Sequence, residues 1–309
     1  MLEPEMILLY HNVIEDSYPL DRWDVGQGLP VRCFATQLGW LRRHRRIVSL
    51  QEYLRITEYG TQPAKKVITL TFDDGLASTF RRVYPLLNLW RVSATFFIST
   101  SHLNQGGLLW FSYLNALCFD GSHDEIKVQG KTFSLRSNEH RKRTRRSLGT
   151  MARESGDPIE FTNALAKVYA LPASTREEFE GMTGEQLSLF SKSELIECGA
   201  HTVNHPFLDQ LTLDQQEQEI DNSKRRLTEL TGRPVRYFAY PKGNYNHTTI
   251  NLVKELGFDA AFATHYKRLC ANDRFEIVRM GVYSLAFPKF WLKTQGGFAI
   301  AHRLGLAKQ

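Results

Sequence analysis

Cysteine is scarce in this chain: four in 309 residues, at positions 33, 118, 198 and 270, with no Cys-x-x-Cys pair. That spacing argues against a disulfide framework or a zinc knuckle and leaves isolated thiols. Long apolar runs are also missing, so no segment reads as a bilayer span. The first apolar run, Met6 to Tyr10, has no basic flank and is too short for an export signal; it reads as a strand, and the expected location is the cytoplasm. Internal repeats and disordered linkers are lacking as well. A surplus of one charge sign is small, at +6. It favours acidic partners such as anionic glycans or lipid headgroups, and nucleic acid is not expected. Part of it is local, in His140-Arg141-Lys142-Arg143-Thr144-Arg145-Arg146. Such a run is ordinarily a solvated helix face, with anion binding the alternative.

What is present is an ordinary globular composition, 42% hydrophobic and 23% charged, long enough for one large domain with an insertion. Buried strands are expected at Met6–Val13, Lys66–Phe72, Ser93–Ile98, Tyr237–Tyr240 and Ala260–Thr264. Helices are expected at Phe34–His44, Thr79–Leu89 and Thr248–Leu256. Another should run from Thr212, whose capping box uses Gln215, to about Thr231, where Gly232 and Pro234 stop it. This alternation indicates an α/β fold, a parallel sheet or barrel of β/α units. Residues 101–192 break the rhythm with an aromatic stretch (108–114), a hairpin at Ile126–Leu135 and a helix at Asp157–Leu171. They read as a mainly helical insertion, either a cap beside a site or a packing appendage.

The most informative segments are Thr71-Phe72-Asp73-Asp74-Gly75 and His201-Thr202-Val203-Asn204-His205. Taken alone, Asp-Asp-Gly is a turn sequence, and a His-x-x-x-His pair arises by chance. Both fall where a strand ends, the edge at which α/β folds put their sites. One Asp and two His make a three-ligand set for a catalytic divalent metal, with positions left open; the second Asp is then free to act as a base. Pro206 disfavours helical geometry at His205, so both histidines belong on a strand-end loop.

These segments resemble the first two motifs of the polysaccharide deacetylases, the NodB-homology or carbohydrate esterase family 4 group. Phe238-Ala239-Tyr240-Pro241-Lys242-Gly243 is similar to the third motif, and Ile7-Leu8-Leu9-Tyr10-His11 recurs in one branch. The resemblance covers roughly residues 5–100 and 193–285. It implies a distorted (β/α) barrel as a single domain over 1–309, and removal of N-acetyl groups from an amino-sugar polysaccharide or a lipid-linked glycan precursor. It implies Asp73 as base and Asp74, His201 and His205 as ligands of one divalent ion, with zinc expected and cobalt or nickel able to substitute. In the third motif it implies the backbone N–H of Lys242 as oxyanion donor, Gly243 as the tight-turn residue and Tyr240, beside Pro241, as part of the substrate wall.

Two departures from the family pattern stand out. Its base-orienting Arg should lie where Ala239 stands; Arg279 or Arg236 are the candidates to replace it, and Arg279 is also a candidate substrate contact. The usual C-terminal Leu-x-x-His is missing, and Leu8-Leu9-Tyr10-His11 fits it at the other chain end. That implies a circularly permuted branch with His11 as the acid, the alternative being a histidine satisfied within the fold. Asp21-Arg22-Trp23 is a weak candidate for the fourth motif. Competing classes are a metal-dependent phosphoesterase or nuclease, and a non-catalytic carbohydrate-binding relative. Finally, Phe287, Phe290, Trp291, Leu292 and Phe298 interleave with Lys289, Lys293, His302 and Arg303, which suits either barrel packing or a membrane surface.

Overall fold

The structure is a computed structural model that describes residues 6–18, 28–59, 66–103, 107–119, 122–265, 267, 269 and 274–295. The fourth-motif candidate at 21–23, Cys270, and Phe298, His302 and Arg303 lie outside the described residues.

Nine strands form one parallel sheet. Along its path the order is Ile277–Val278, Ala260–Ala263, Tyr237–Ala239, Ile196–Ala200, Ala94–Ile98, Val67–Phe72, Met6–Tyr10 and Met280–Gly281; Arg46–Ile47 also pairs with Val67–Phe72. The first and last strands of that path are consecutive in the chain, separated by Arg279 alone. Val278 pairs with Ala263, while Met280 pairs with Leu8. The sheet is therefore rolled into a nearly closed barrel whose seam is Arg279.

Strand side chains alternate between the two faces, and two apolar clusters follow that alternation. Ile7, Val67, Phe97, Ala239 and Phe262 point inward, above Leu50, Tyr53 and Leu54 of the helix Leu50–Tyr59. Leu8, Leu70, Phe72, Phe96 and Phe238 point outward. They meet the apolar faces of the helices Val31–His44 (Phe34, Leu38, Leu41), Leu213–Thr231 (Ile220, Leu227) and His247–Glu255 (Ile250, Val253). The interior needs small residues opposite its two phenylalanines. A Cβ on Gly199 would stand only 2.5 Å from the Phe97 ring.

The helix from Leu213 is capped as its sequence requires. Thr212 and Gln215 bond reciprocally, and Gly232 takes the left-handed conformation at the end. The first strand stops one residue before His11. Asn12–Ile14 then pairs with Gly28–Pro30 instead.

The 101–192 segment enters between the Ala94–Ile98 and Ile196–Ala200 strands. It contains a hairpin (Glu125–Val128 with Lys131–Ser134) and five helices, from Trp110–Phe119 to Gly184–Phe190. Its own apolar cluster centres on Leu114, Leu117, Phe119 and Leu148. In the C-terminal helix Phe287–Thr294, Phe290 is buried and both Phe287 and Phe290 pack edge-on against Trp40, at 6.2 and 6.1 Å. Trp291 and Leu292 are exposed. No helix among the described residues is long and apolar enough to cross a membrane.

Candidate active site

The site forms at the carboxyl ends of the parallel strands. Inward-facing parity along Val67–Thr69–Thr71 carries on to Asp73, and along Phe97–Ser99 and Gly199 to His201, so both stand over the barrel mouth. Sharp turns then aim the remaining groups. Asp74, Thr202, His205 and Lys242 all have positive φ, of 75°, 67°, 56° and 55°. Non-glycine residues seldom adopt this region, and such positions concentrate at functional sites.

Asp74, His201 and His205 are buried, and one ligand atom from each lies within 4.8 Å of the others. The Nε2 atoms of His201 and His205 stand 3.8 and 3.6 Å from Asp74 Oδ1. His201 Nδ1 is 2.7 Å from the Ala239 carbonyl and must donate to it, which leaves the Nε2 lone pair turned to the cluster. Burial keeps both imidazoles neutral, lowering His201 and, further, His205. Burial, together with the charge of Asp73, raises Asp74 to about 7. Its Oδ1 is buried with no hydrogen-bond partner. An orphaned carboxylate oxygen facing two neutral imidazoles fits a divalent cation of the zinc type.

A pH dependence follows. Below about 7 Asp74 holds a proton that an incoming cation must displace, so apparent zinc affinity should fall about tenfold per pH unit as pH drops below about 7. Titration calorimetry in buffers of different protonation enthalpy should detect the released proton near pH 6 and little of it at pH 8.

Asp73 is different. Burial alone would raise it, but Arg279 outweighs that and holds it below the usual carboxylate range. The guanidinium donates to both carboxylate oxygens, at 2.6 and 2.7 Å. Arg279 is fully buried, lies over the Phe97 ring and also reaches Thr71 Oγ1 at 3.3 Å. It thus stands on Asp73 rather than at the surface of the cleft, where a base-orienting Arg would act. Arg236 is not; it acts on Glu197 at the opposite end of the strands.

A cleft of about 290 Å³ opens over these groups, lined by His11, Asp73, Asp74, His201, His205 and Lys242 among others. His11 follows the first strand as Asp73 follows its neighbour, and the Asp73 N–H donates to the Tyr10 carbonyl. Burial lowers His11 to about 4, against the pull of Asp73, so the imidazole is neutral near pH 7. Tyr240 does not line the cleft. Its side chain is fully buried, stacks on Tyr245 at 4.4 Å and donates its hydroxyl to the Phe275 carbonyl. Pro241 is buried beside it, and a Cβ on Gly243 would run into Thr264. Of that motif, Lys242 alone reaches the cleft.

The insertion builds the opposite wall with Phe111, Ser112, Asn115, Arg145 and Phe179. Phe111 packs on the His205 ring at 4.5 Å. The insertion also clamps the Asp-Asp-Gly loop. The Met182 N–H and His102 Nε2 both donate to the Gly75 carbonyl, at 2.9 and 3.1 Å, and the Ala77 N–H donates to Glu180. Glu219 was invisible to sequence reasoning. It accepts from the Val203 and Asn204 N–H groups, at 2.9 and 2.8 Å, and from the Asn204 amide, and so pins the histidine loop.

The model of the polysaccharide deacetylase family matches residues 60–261. The chain belongs to the polysaccharide deacetylase family. The poly-β-1,6-N-acetyl-D-glucosamine N-deacetylase of Staphylococcus aureus is 32% identical over 269 residues, covering 86% of this chain and 71% of its own length. The activity class of this deacetylase is accordingly that of a carbohydrate N-deacetylase. Among solved structures, the Streptococcus pyogenes deacetylase PplD in complex with acetate superposes with a TM-score of 0.61 at 22% identity, covering 94% of this chain and 97% of that one. IcaB from Ammonifex degensii gives 0.60 at 20%, covering 94% and 95%. These likenesses place the deacetylase fold on the whole barrel and its insertion.

Proposed function

We propose that this chain hydrolyses N-acetyl groups within a β-1,6-linked N-acetylglucosamine polymer, using residues 1–309 as one catalytic unit. The observation that carries the reading is a carboxylate kept charged by Arg279 beside a three-ligand cluster whose own carboxylate lacks a partner. The polymer is taken from the Staphylococcus aureus relative, which matches over most of both chains.

In this scheme Asp74, His201 and His205 hold one divalent ion, zinc by the chemistry of the donors. When bound there, such an ion makes water acidic and polarises a carbonyl. Asp73 takes the proton of the attacking water; Arg279 keeps it ionised for that purpose and fixes both of its oxygens. The backbone N–H of Lys242 faces the acetyl oxygen as that oxygen gains charge. His11 gains its proton as negative charge develops in the cleft and passes it to the departing amine. The position of His11 beside the Asp73 strand supports the permuted reading, in which the acid arrives from the amino end of the chain.

A non-catalytic binding role drew its support from the Arg missing at Ala239, and Arg279 on Asp73 removes that support. A two-metal phosphoesterase needs more clustered ligands than the three found together among the described residues.

Acetate release from an N-acetylglucosamine oligomer tests the activity. His11→Ala should keep its zinc and lose about 10²–10⁴ in turnover. If its rate and pH profile equal those of the parent, His11 is structural and the permuted reading fails.

A further inference from the structure

Two cations face the cleft. Arg145 comes from the insertion helix Asn138–Glu154, and Lys242 from the third-motif turn. Neither makes an ion pair among the described residues. Lys242 Nζ lies over the Phe111 ring at 5.4 Å, which steadies it on the cleft side. It is attracted by Asp74 and Asp73 and feels Arg145 and Arg153 as like charges. Arg153, half-buried two turns beyond Arg145, lies over the Phe207 ring at 4.9 Å. Among the described residues, the carboxylates lining the cleft are Asp73 and Asp74. Asp73 is engaged by Arg279, and Asp74 belongs to the metal cluster. Among the described residues the Arg145 guanidinium on the cleft wall therefore has no carboxylate paired with it, while Lys242 shares Asp74 with the metal cluster.

The reaction itself changes the charge of the polymer. An N-acetylglucosamine unit is neutral. Hydrolysis of its amide forms a C–O bond to the acyl carbon and breaks the C–N bond, giving acetate and an amine that takes up a proton. Each turnover thus leaves one ammonium on the polymer. We propose that Arg145, with Lys242, repels sugars that have already lost their acetyl group. The enzyme then favours acetylated stretches over units that carry a free amine. This rests on the N-deacetylase reading. The same field would draw acetate, the anionic product, rather than the amine.

A like charge about 8 Å away in a half-solvated cleft costs about a factor of three in occupancy, and two such charges about tenfold. The test uses three N-acetylglucosamine tetramers at about pH 6, where amines of this kind are charged. In the first all units are acetylated. In the second one unit is glucosamine. In the third that unit is glucose, which lacks the acetyl group but is neutral. Relative kcat/KM within each variant removes any general loss of activity.

For wild type, the glucosamine tetramer should be used about tenfold less well than the glucose tetramer. Arg145→Gln should reduce that ratio to about threefold, Arg145→Lys should preserve it, and Arg145→Glu should abolish or invert it. Added salt should shrink it in wild type, because the charges are partly exposed. A wild-type ratio near one, a ratio unchanged in Arg145→Gln, or a preference for the glucosamine tetramer would each overturn the proposal. Failure of wild type to release acetate from any tetramer would instead overturn the underlying N-deacetylase reading.

Discussion

Asp73→Asn should release acetate roughly 10²–10⁴ times more slowly than wild type, the usual contribution of a positioned general base. It should also be less stable, which distinguishes this site from an ordinary surface carboxylate. Arg279 is fully buried and makes both of its short bonds to Asp73. An amide there removes the carboxylate that takes both of its short bonds, at a cost of about 3–5 kcal/mol. Arg279→Met in the Asp73→Asn background removes the buried charge, and packing against Phe97 is partly kept. Thermal unfolding should recover most of the lost stability in the double variant, whereas turnover should stay at the single-variant level. Recovery of both would mean that Asp73 serves the fold alone, and near-normal turnover in Asp73→Asn would remove it as the base.

His205→Ala should have the second-largest effect. It leaves Asp74 and His201 as two ligands, and a zinc ion held by two side chains in place of three is lost easily on dialysis. Zinc content measured after gel filtration should fall from about one per chain to near zero, and acetate release should fall with it. Stability of the metal-free protein should change little or even rise, since His205 is a buried imidazole whose Nδ1 has no partner. Full occupancy in this variant would place the metal elsewhere.

Much of the site was legible in the sequence because it is local. Strand ends, Asp-Asp-Gly and His-x-x-x-His are short patterns, and parity along a strand says which residue faces the mouth. The expected helices at 34–44, 212–231 and 248–256 appear within a few residues, since their caps and stops lie beside them. The hairpin near 126–135 appears as well. Other features depend on contacts far apart in the chain. Asp73 and Arg279 are 206 residues apart, and nothing near either announces the pair. Glu219 sits on a helix with many other acidic residues, so its grip on the histidine loop could not be singled out. Tyr240 is expected on the substrate wall but lies behind it, because one residue of turn decides the face: the left-handed Lys242 enters the cleft while Tyr240 stacks on Tyr245. The sequence alone does not decide whether residues 101–192 form a cap or an appendage. The answer lay in Phe111, Asn115 and Arg145, whose convergence on the cleft only the folded insertion reveals.

In the proposed scheme, the seam at Arg279 ties the charge of Asp73 to closure of the barrel. The residue that pairs with Asp73 is the one at which the strands Ile277–Val278 and Met280–Gly281 cross from one edge of the sheet to the other. A nascent chain that has folded every motif but not yet received its last two strands holds Asp73 in an apolar well without its guanidinium, and there a carboxyl keeps its proton. On that scheme, a truncation or loosening near residue 279 should silence the chemistry before it visibly unfolds the protein.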